Sequence, residues 1–523
     1  MKFRNEMTWL RYQRRGRAEV FHLYYESAVS KVKSSLGLEY PAYIGGEEVK
    51  TPKKFVKTSP IDYRMKLAYV QFCTEEHVKH AIEEAERAFE SWSSIPYKRR
   101  ANIFLKAADI MSKLKFELAA LQTLENGKNR YEAVADIDEA IDYLRFYAFE
   151  LIRNKGFKRK MKSVYPGERA FSILKPYGVW AVISPFNFPM AITVGMSTGA
   201  LITGNTVVLK PSSETPLMAL KFYEILTKAG LPKGVLNVVT GPGEIVGKAL
   251  IEDERIAGVV FTGSKEVGMA SLKKFVGKEP RPFIAEMGGK NPVIVSDKAD
   301  LRKAVEGIYK AAFGYGGQKC SAASRLIVHK KVKRALLNSL IEVTKSLKVG
   351  DPTQKEVFMG PLINKKALKR YVEACDDAKR DGKILTGGKV LRGGIYDYGY
   401  YVLPTIVDDL PADHRLLKEE LFIPFLAVIE YEDFEEAIRI ANDVEYGLTA
   451  GLFTEDPIEK SYFLEHIEAG VAYVNRTVGA TTGAVVGVQP FVGWKHSGST
   501  GKGAGGHYYL LQFLREQSQS LYD

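Results

Sequence analysis

The chain changes its pattern of apolar and polar positions near residue 177. Before that point, apolar residues recur every three or four positions over 75–92, 99–128 and 136–153, which is the spacing of amphipathic helices. The second of these patterns ends near Gly127, a residue type that often follows a helix. We therefore predict a largely helical first third, followed by a basic segment that forms an exposed hairpin.

Beyond Tyr177, short apolar runs alternate with helical patterns. Strands are predicted over 178–184, 205–212, 235–241 and 256–264, with helices over 215–232, 244–253 and 266–276. The first of these helices begins with Thr215 as N-cap and Pro216, and it ends at Gly230 and Pro232. Such alternation is typical of a doubly wound parallel sheet. A second α/β unit is predicted over residues 291–471.

The uncharged stretch from Pro176 to Leu209 is long enough to cross a bilayer. Glycine, proline and asparagine interrupt it repeatedly, so we interpret it as a buried strand, turn, helix and second strand. No membrane association is expected.

The composition is that of a globular protein with more than one core, with 523 residues of which 46% are hydrophobic. Three separated cysteines and eight histidines show neither disulfide nor metal-ligand spacing, which indicates a reducing compartment and no metal. No signal-peptide core is present, so we expect a cytoplasmic location, with the mitochondrial matrix left open.

The net charge is +13, and residues 1–17 carry six Lys or Arg against Glu6. This segment has two interpretations, a nucleic-acid footprint or a solvated basic tail. We favour the tail, because no aromatic-basic motif or helix-turn-helix follows, and we expect no nucleic-acid partner.

Cys320 is the candidate nucleophile. It lies in "GQKCSA", where small neighbours leave a thiol accessible and Lys319 favours the thiolate. Glu286 ends an apolar strand in "AEMGGKNP", where burial suits a general base. Helix capping or lysine pairing are alternatives for this glutamate. Asn187, in "SPFNFP", is a candidate to stabilise an oxyanion.

Two strand-to-helix turns are candidates for binding phosphate. "GPGEIVG" contains Gly243 and Gly247 in a GxGxxxG spacing, and "FTGSKEVG" contains Gly263 and Ser264. Together they favour a dinucleotide, although each is also compatible with an ordinary α/β turn.

The order of these and further motifs resembles the aldehyde dehydrogenase superfamily. The motifs are "PFNFP", "LKPS", "FTGS", "EMGGK", "GQKC", "EELFIP", "NDVEYGL" and "YVN". The resemblance implies an aldehyde dehydrogenase fold with an α/β Rossmann-like cofactor domain, an α/β catalytic domain and a small β oligomerisation arm. It implies the boundaries 1–157 with 177–288 for the cofactor domain and its N-terminal helical region, 289–490 for the catalytic domain, and 158–176 with 499–523 for the arm. A homo-oligomer, either a dimer or an assembly of dimers, is expected.

The same resemblance implies a mechanism and a cofactor. Cys320 would add to the aldehyde, Asn187 would hold the oxyanion and Glu286 would activate water. Lys210 and Glu420 resemble ribose contacts, Phe422 packs near the nicotinamide, and Ser184 belongs to the same site. NAD is the expected cofactor. Ser213 neither repels nor pairs with a 2′-phosphate, which leaves NADP open as a second one.

The C-terminal stretch 481–510 resembles the substrate-anchoring segment of 1-pyrroline-5-carboxylate dehydrogenases, which oxidise L-glutamate γ-semialdehyde to L-glutamate. Its glycine-rich backbone suits an α-carboxylate. The residues implied for the substrate are Gly483, Ala484, Ser321, Lys319, Phe188, Phe491 and, for the α-ammonium group, Glu132.

Ile423 and Val492 depart from the superfamily pattern, in which both positions are usually glycine. Two alternatives remain open from the sequence. One is a dehydrogenase for another semialdehyde, and the other is a non-catalytic binding or structural protein on the same fold.

Overall fold

The computed structural model describes residues 3–277, 279–483 and 485–522. Its α-helices are α1 (Thr8–Arg14), α2 (Ala18–Lys33), α3 (Glu75–Ser94), α4 (Tyr97–Lys113), α5 (Lys115–Asn126), α6 (Arg130–Arg153), α7 (Ala191–Ile202), α8 (Pro216–Ala229), α9 (Lys248–Glu252), α10 (Lys265–Val276), α11 (Leu301–Phe313), α12 (Lys330–Ser346), α13 (Lys365–Asp381), α14 (Arg415–Lys418), α15 (Phe434–Asn442) and α16 (Pro457–His466).

The strands are β1 (Leu38–Tyr40), β2 (Ala42–Ile44), β3 (Glu47–Val49), β4 (Lys54–Thr58), β5 (Lys66–Gln71), β6 (Lys158–Lys160), β7 (Glu168–Pro176), β8 (Val179–Ile183), β9 (Thr206–Lys210), β10 (Leu236–Val238), β11 (Ile256–Thr262), β12 (Phe283–Glu286), β13 (Asn291–Val295), β14 (Ala323–His329), β15 (Lys383–Thr386), β16 (Thr405–Asp408), β17 (Phe425–Tyr431), β18 (Tyr446–Gly447), β19 (Thr449–Phe453), β20 (Val471–Val474), β21 (Trp494–Lys495) and β22 (Leu514–Tyr522).

The first large sheet has the order β12-β11-β8-β9-β10-β2-β3 and is parallel from β12 to β10. Helices cover both faces, so alternate residues of β9 enter different cores. Val207 and Leu209 pack in one, and Val208 packs in the other. The chain leaves β8 for β9 on one side and returns to β11 on the other. Ligands of doubly wound sheets bind at such a reversal, beyond the carboxyl ends of the strands.

The second large sheet has the order β15-β16-β17-β14-β13-β19-β20 and is parallel except for β15. The chain passes from the first sheet to the second between Glu286, the last residue of β12, and Asn291, the first of β13. The doubly wound sheet and the second α/β unit are thus confirmed.

A smaller sheet pairs β6, β7 and β22 in the antiparallel sense, with Leu514 opposite Pro176 and Tyr522 opposite Glu168. It joins the predicted hairpin to the end of the chain. The hairpin is confirmed, whereas its role in assembly and the three domain boundaries remain predictions.

Two helix predictions need correction. The pattern over 99–128 is divided between α4 and α5 at Leu114, and the helix predicted over 244–253 begins with a π-helical turn, Gly243–Gly247, before α9. The predicted stop at Gly127 is confirmed by its left-handed conformation, with φ of 80°. The uncharged stretch forms β8, α7 and β9, and no helix in the described part of the chain is long and apolar enough to span a membrane.

Candidate active site

Two cavities meet at Cys320. The larger, of about 830 Å³, opens along the carboxyl ends of β8, β9 and β11. The smaller, of about 70 Å³, lies between α6, α7 and the C-terminal segment. Cys320, Phe261 and Thr262 line both, so the sulfur lies where a ligand in one cavity would approach a ligand in the other.

Each residue that the sequence assigned to a cofactor lines the larger cavity. The set is Ser184, Lys210, Ser213, Gly243, Gly247, Gly263, Ser264, Glu420 and Phe422. The Ser264 hydroxyl also accepts from Val267 N–H at 3.4 Å as the N-cap of α10, which leaves its own proton free to be donated. A cavity of this size suits a dinucleotide, and the lining residues fit one chemically.

Lys210 supplies the buried cation of this cavity. Its side chain is 5% exposed and Nζ donates to the carbonyl of Pro211 at 2.9 Å. Burial lowers the pKa of Lys210 to about 8, against the opposing influence of Glu244. Glu214, by contrast, accepts from Asn364 at 2.7 Å and lies 3.6 Å from Lys57, so its charge is partly matched by these groups.

Glu420 is held at the far side of the cavity. Its Oε1 accepts from Gly289 N–H at 3.0 Å, and burial raises the pKa of Glu420 to about 7 although that hydrogen bond lowers it. A Cβ at Gly288 would lie 2.2 Å from Glu420 Oε2. Glycine at this position therefore lets the carboxyl group approach the backbone.

The turn that carries Cys320 is fixed through its carbonyl groups. Asn291 Nδ2 donates to Cys320 O at 2.7 Å and to Ala322 O at 2.8 Å, and Thr481 donates to Ser321 O at 2.7 Å. Tyr315, which precedes the turn, has φ of 50°, so the backbone there is strained. These contacts place the sulfur between α11 and β14.

The ionisation of Cys320 differs from the sequence prediction. Burial, together with the carboxyl groups of Glu420 and Glu286, raises the pKa of the Cys320 thiol. Lys319 does not offset this, because its ammonium group forms an ion pair with Glu132. A raised pKa favours the thiol over the thiolate, so a base is needed to take its proton before the sulfur attacks carbon.

Glu286 has the features of such a base. Burial raises the pKa of Glu286 well above its ordinary value, although a hydrogen bond from the Gly493 backbone lowers it. Among the described residues, its Oε2 has no hydrogen-bond partner, and Glu286 lines the smaller cavity. The lysine-paired and helix-capping alternatives do not match this geometry.

Asn187 is buried at 3% exposure and lines the larger cavity beside Cys320. Its Oδ1 accepts from Phe188 N–H at 3.1 Å. The Nδ2 of the same amide is a donor. An oxyanion formed at Cys320 would accept from such a group.

The smaller cavity brings together the predicted substrate residues Ser321, Gly483, Phe188 and Phe491. Tyr473 donates to the carbonyl of Gly483, which fixes the backbone there. Ala484 lies outside the described residues.

Lys319 and Glu132 are placed elsewhere. Besides their ion pair, Glu132 Oε2 accepts from Tyr315 N–H at 3.0 Å and from Asn129 Nδ2 at 3.1 Å, and neither side chain lines the two cavities. Besides Glu286, the carboxyl group that lines the smaller cavity is that of Glu139.

Glu139 was missed in the sequence. Burial, followed by Asp136, raises the pKa of Glu139 to about 8. Glu139 lies seven residues after Glu132 on α6, two helical turns along the same face. A glutamate among the apolar residues of a helix face is the sequence feature that could have indicated a buried functional carboxyl group.

No group of three or more potential ligands for a metal ion occurs among residues 3–277, 279–483 and 485–522.

Comparison with known proteins shows that nearly the whole chain matches one family. The model described as "Aldehyde dehydrogenase family" matches residues 48–518. The 1-pyrroline-5-carboxylate dehydrogenase of Geobacillus sp. (strain WCH70) is 40% identical over 502 residues, covering 95% of each chain. A second relative, the 1-pyrroline-5-carboxylate dehydrogenase 2 of Bacillus subtilis (strain 168), is 38% identical over 501 residues, which again cover 95% of each chain.

Solved structures are similar over the whole chain. The 1-pyrroline-5-carboxylate dehydrogenase from Thermus with bound NAD superimposes with a TM-score of 0.93 at 35% identity, covering 100% of this chain and 99% of that one. Proline utilization A from Bdellovibrio bacteriovorus also gives a TM-score of 0.93, at 36% identity. This chain spans 53% of that longer protein.

Proposed function

Because the chain belongs to the aldehyde dehydrogenase family, we propose that it oxidises L-glutamate γ-semialdehyde to L-glutamate, as a step in proline catabolism. The observation that carries the proposal is the junction of the two cavities at one cysteine. One cavity has the size and lining of a dinucleotide site, and the other is small, apolar and closed by residues suited to an amino-acid chain.

The first chemical step is addition of the Cys320 sulfur to the aldehyde carbon. The carboxylate form of Glu286 takes the thiol proton, since burial raises the pKa of Glu286 and so makes that carboxylate a stronger base, and its Oε2 has no partner in the described residues. The Asn187 amide then donates to the oxyanion that forms as the carbonyl bond opens. The product of this step is a thiohemiacetal on Cys320.

NAD or NADP, when bound, supplies the oxidant by accepting a hydride. Lys210, Ser264 and Glu420 would hold it, and Phe422 would lie beside it. Phe422 packs edge-on against Phe186, with ring centroids 5.7 Å apart, which fixes its orientation.

Oxidation leaves a thioester on Cys320, which water must cleave. Glu286 first releases the thiol proton to solvent and then removes a proton from that water, the water oxygen attacks the acyl carbon, and the sulfur leaves as a thiolate. The carboxylic acid is released and Cys320 recovers a proton. Burial suits Glu286 to both proton transfers, because a raised pKa makes its carboxylate a stronger base than an exposed one.

Recognition of the amino-acid end follows from the smaller cavity. The backbone at Gly483 and the Ser321 hydroxyl would bind the α-carboxylate, and Phe188 and Phe491 would enclose the methylene groups. Glu139, rather than Glu132, would pair with the α-ammonium group, because Glu139 lines this cavity and Glu132 does not, while Glu286 serves as the base. An ammonium ligand would also lower the raised pKa of Glu139.

We expect the cofactor site to accept NADP as well as NAD. Lys210 supplies positive charge, and Ser213, whose hydroxyl donates to Gly241 O at 3.0 Å, adds no carboxylate that would repel a 2′-phosphate. NAD and NADP would therefore both be accepted.

Self-association is proposed at the small sheet. β22 is largely exposed along its length, and Val164 and Tyr165 are exposed at 79% and 63%. Exposed strands with apolar neighbours favour pairing with a second chain. A homo-oligomer built from dimers is the expected form.

The test is a comparison of initial rates for wild type, Cys320→Ala and Cys375→Ala. Glutamate semialdehyde, succinate semialdehyde and propanal are compared with NAD and with NADP. The proposal expects the highest kcat/KM with glutamate semialdehyde, loss of all activity in Cys320→Ala and retention in Cys375→Ala, whose thiol lies in a separate core. Preference for another semialdehyde would favour that alternative substrate.

A further inference from the structure

The basic N-terminal segment, which the proposed reaction does not use, is docked against the substrate site. Residues 3–7 form no regular secondary structure, yet they lie against α6, the helix that carries Glu139. Glu6 N–H donates to Asp142 Oδ1 at 2.8 Å, and Thr8 N–H donates to Asp138 Oδ2 at 2.7 Å. Two buried carboxyl groups of α6 therefore fix the path of this segment.

Asn5 extends that docking to the other end of the chain. Its Nδ2 donates to Asp142 Oδ2 at 2.9 Å and to the carbonyl of Val486 at 2.8 Å. One amide thus joins α6 to Val486, which lies 481 positions after Asn5 in the sequence. Val486 is 1% exposed, so its carbonyl would destabilise the folded chain if it had no hydrogen-bond donor.

Phe3 packs at the same place. A Cβ at Gly487 would lie 2.9 Å from Phe3 Cε1 and 3.0 Å from the Phe146 ring, and the two rings are 5.1 Å apart in an edge-on arrangement. The backbone at Gly487 is therefore enclosed between an N-terminal ring and an α6 ring. Gly487 also has φ of 73°, which glycine adopts without strain.

The residues held in this way form the turn 485–491, named here the substrate turn. It connects Gly483 to Phe491, and both of these line the smaller cavity. Within it, Gln489 N–H donates to Val485 O at 2.7 Å, and Gly487 N–H donates to Gly505 O at 2.8 Å. A shift of the turn would move both cavity walls, since it lies between them.

We propose that the N-terminal segment is a positioning element for the substrate turn, with Asn5 as its central contact. Asn5 does not touch the reacting atoms. It holds the turn in the conformation in which Gly483 and Phe491 receive the amino-acid end of the substrate. The identity of the substrate in this proposal rests on the proposed function. The ordering of the turn by Asn5 is independent of that function.

The test uses the full chain with Asn5→Ala, and Arg14→Ala as the control, an exposed residue of the same segment. We expect Asn5→Ala to raise KM for glutamate semialdehyde about tenfold, the value of one or two hydrogen bonds. Both kcat and the KM for propanal should stay within roughly twofold, because propanal has no α-carboxylate or α-ammonium to be anchored. Arg14→Ala should match wild type.

Hydrogen exchange separates the two proposals. The amides of 485–489 should exchange faster in Asn5→Ala, while those of α6 keep their protection. If that exchange is unchanged, or if it is faster with both KM values unchanged, the inference is overturned. If wild type fails to oxidise glutamate semialdehyde but exchange is still faster, the proposed function fails and the ordering of the turn stands. Phe3→Ala, which removes the ring that packs against Gly487 and leaves both Asn5 and the turn sequence unchanged, should give the same exchange result.

Discussion

Lys128 and Asp136 form an ion pair of 2.7 Å in which both side chains are 0% exposed. The same ammonium group lies 3.4 Å from the ring centroid of Phe188, one wall of the smaller cavity. Asp136 in turn accepts from Ala191 N–H at 2.7 Å, at the start of α7. The pair therefore fixes the wall of the candidate substrate site from behind, through a cation–π contact and a backbone hydrogen bond.

Replacing Lys128 by methionine should destabilise the protein strongly. The substitution leaves Asp136 buried without its cation, which typically costs about 3–5 kcal/mol of the free energy of unfolding. The double variant, which carries both Lys128→Met and Asp136→Asn, should be less destabilised than Lys128→Met alone. Gln122 Nε2 donates to Asp136 Oδ2 at 2.6 Å, so the Gln122 amide must rotate by half a turn for its Oε1, which has no partner among the described residues, to accept from the asparagine Nδ2. Chemical unfolding of both variants measures the difference, and equal destabilisation would contradict this account.

The sequence predicts the order of strands and helices well, because alternation of short apolar runs with helical patterns has few three-dimensional solutions. The order of the motifs also identified residues that line the larger cavity, because the turns that follow parallel strands all lie at the same edge of the sheet. The partner of Lys319 could not be predicted in this way. A lysine beside a cysteine favours a thiolate only if its ammonium group faces the sulfur. Here the ammonium group of Lys319 pairs instead with Glu132, on a helix that is far away in the sequence.

The roles of Glu132 and Glu139 show the same limit. Both lie on one helical pattern, and only the packing of α6 against α7 determines which carboxyl group reaches the cavity. The contact of Asn5 with Val486 spans nearly the whole chain. Local pattern contains no information about such a pairing.

Alkylation of Cys320 should be slow at neutral pH. Its thiol has a raised pKa because of burial and the two nearby carboxyl groups, and only the thiolate reacts. Inactivation by iodoacetamide should therefore increase with pH and show its inflection above about 8.5, the value of a free cysteine. Inactivation rates from pH 6 to 10, with mass spectrometry to locate the label, test this. An inflection at or below pH 7 would show that the thiolate is the resting form.

Gly288→Ala should weaken cofactor binding. The new Cβ would lie 2.2 Å from Glu420 Oε2, so Glu420 must move and lose its hydrogen bond from Gly289. A hydrogen bond to a charged group contributes about 1.5–3 kcal/mol, so KM for NAD should rise roughly 10- to 100-fold. Gly350→Ala is the matched control, because its Cβ would meet Val357 at 3.6 Å, an ordinary contact. Equal KM values for the two variants would argue against a role for Glu420 in binding NAD.

Glu139→Gln and Glu132→Gln should have different kinetic effects. The first removes the carboxyl group that can ionise opposite an α-ammonium group in the smaller cavity, so KM for glutamate semialdehyde should rise roughly 10- to 100-fold while propanal is unaffected. The second disrupts the contacts with Lys319 and Tyr315 N–H, which hold the backbone before Cys320. It should lower kcat for both aldehydes in similar proportion, because the sulfur is misplaced for each. Initial rates over a range of both substrates distinguish the two patterns. If Glu132→Gln alone raised KM for the semialdehyde, the α-ammonium group would have to be assigned to Glu132 instead.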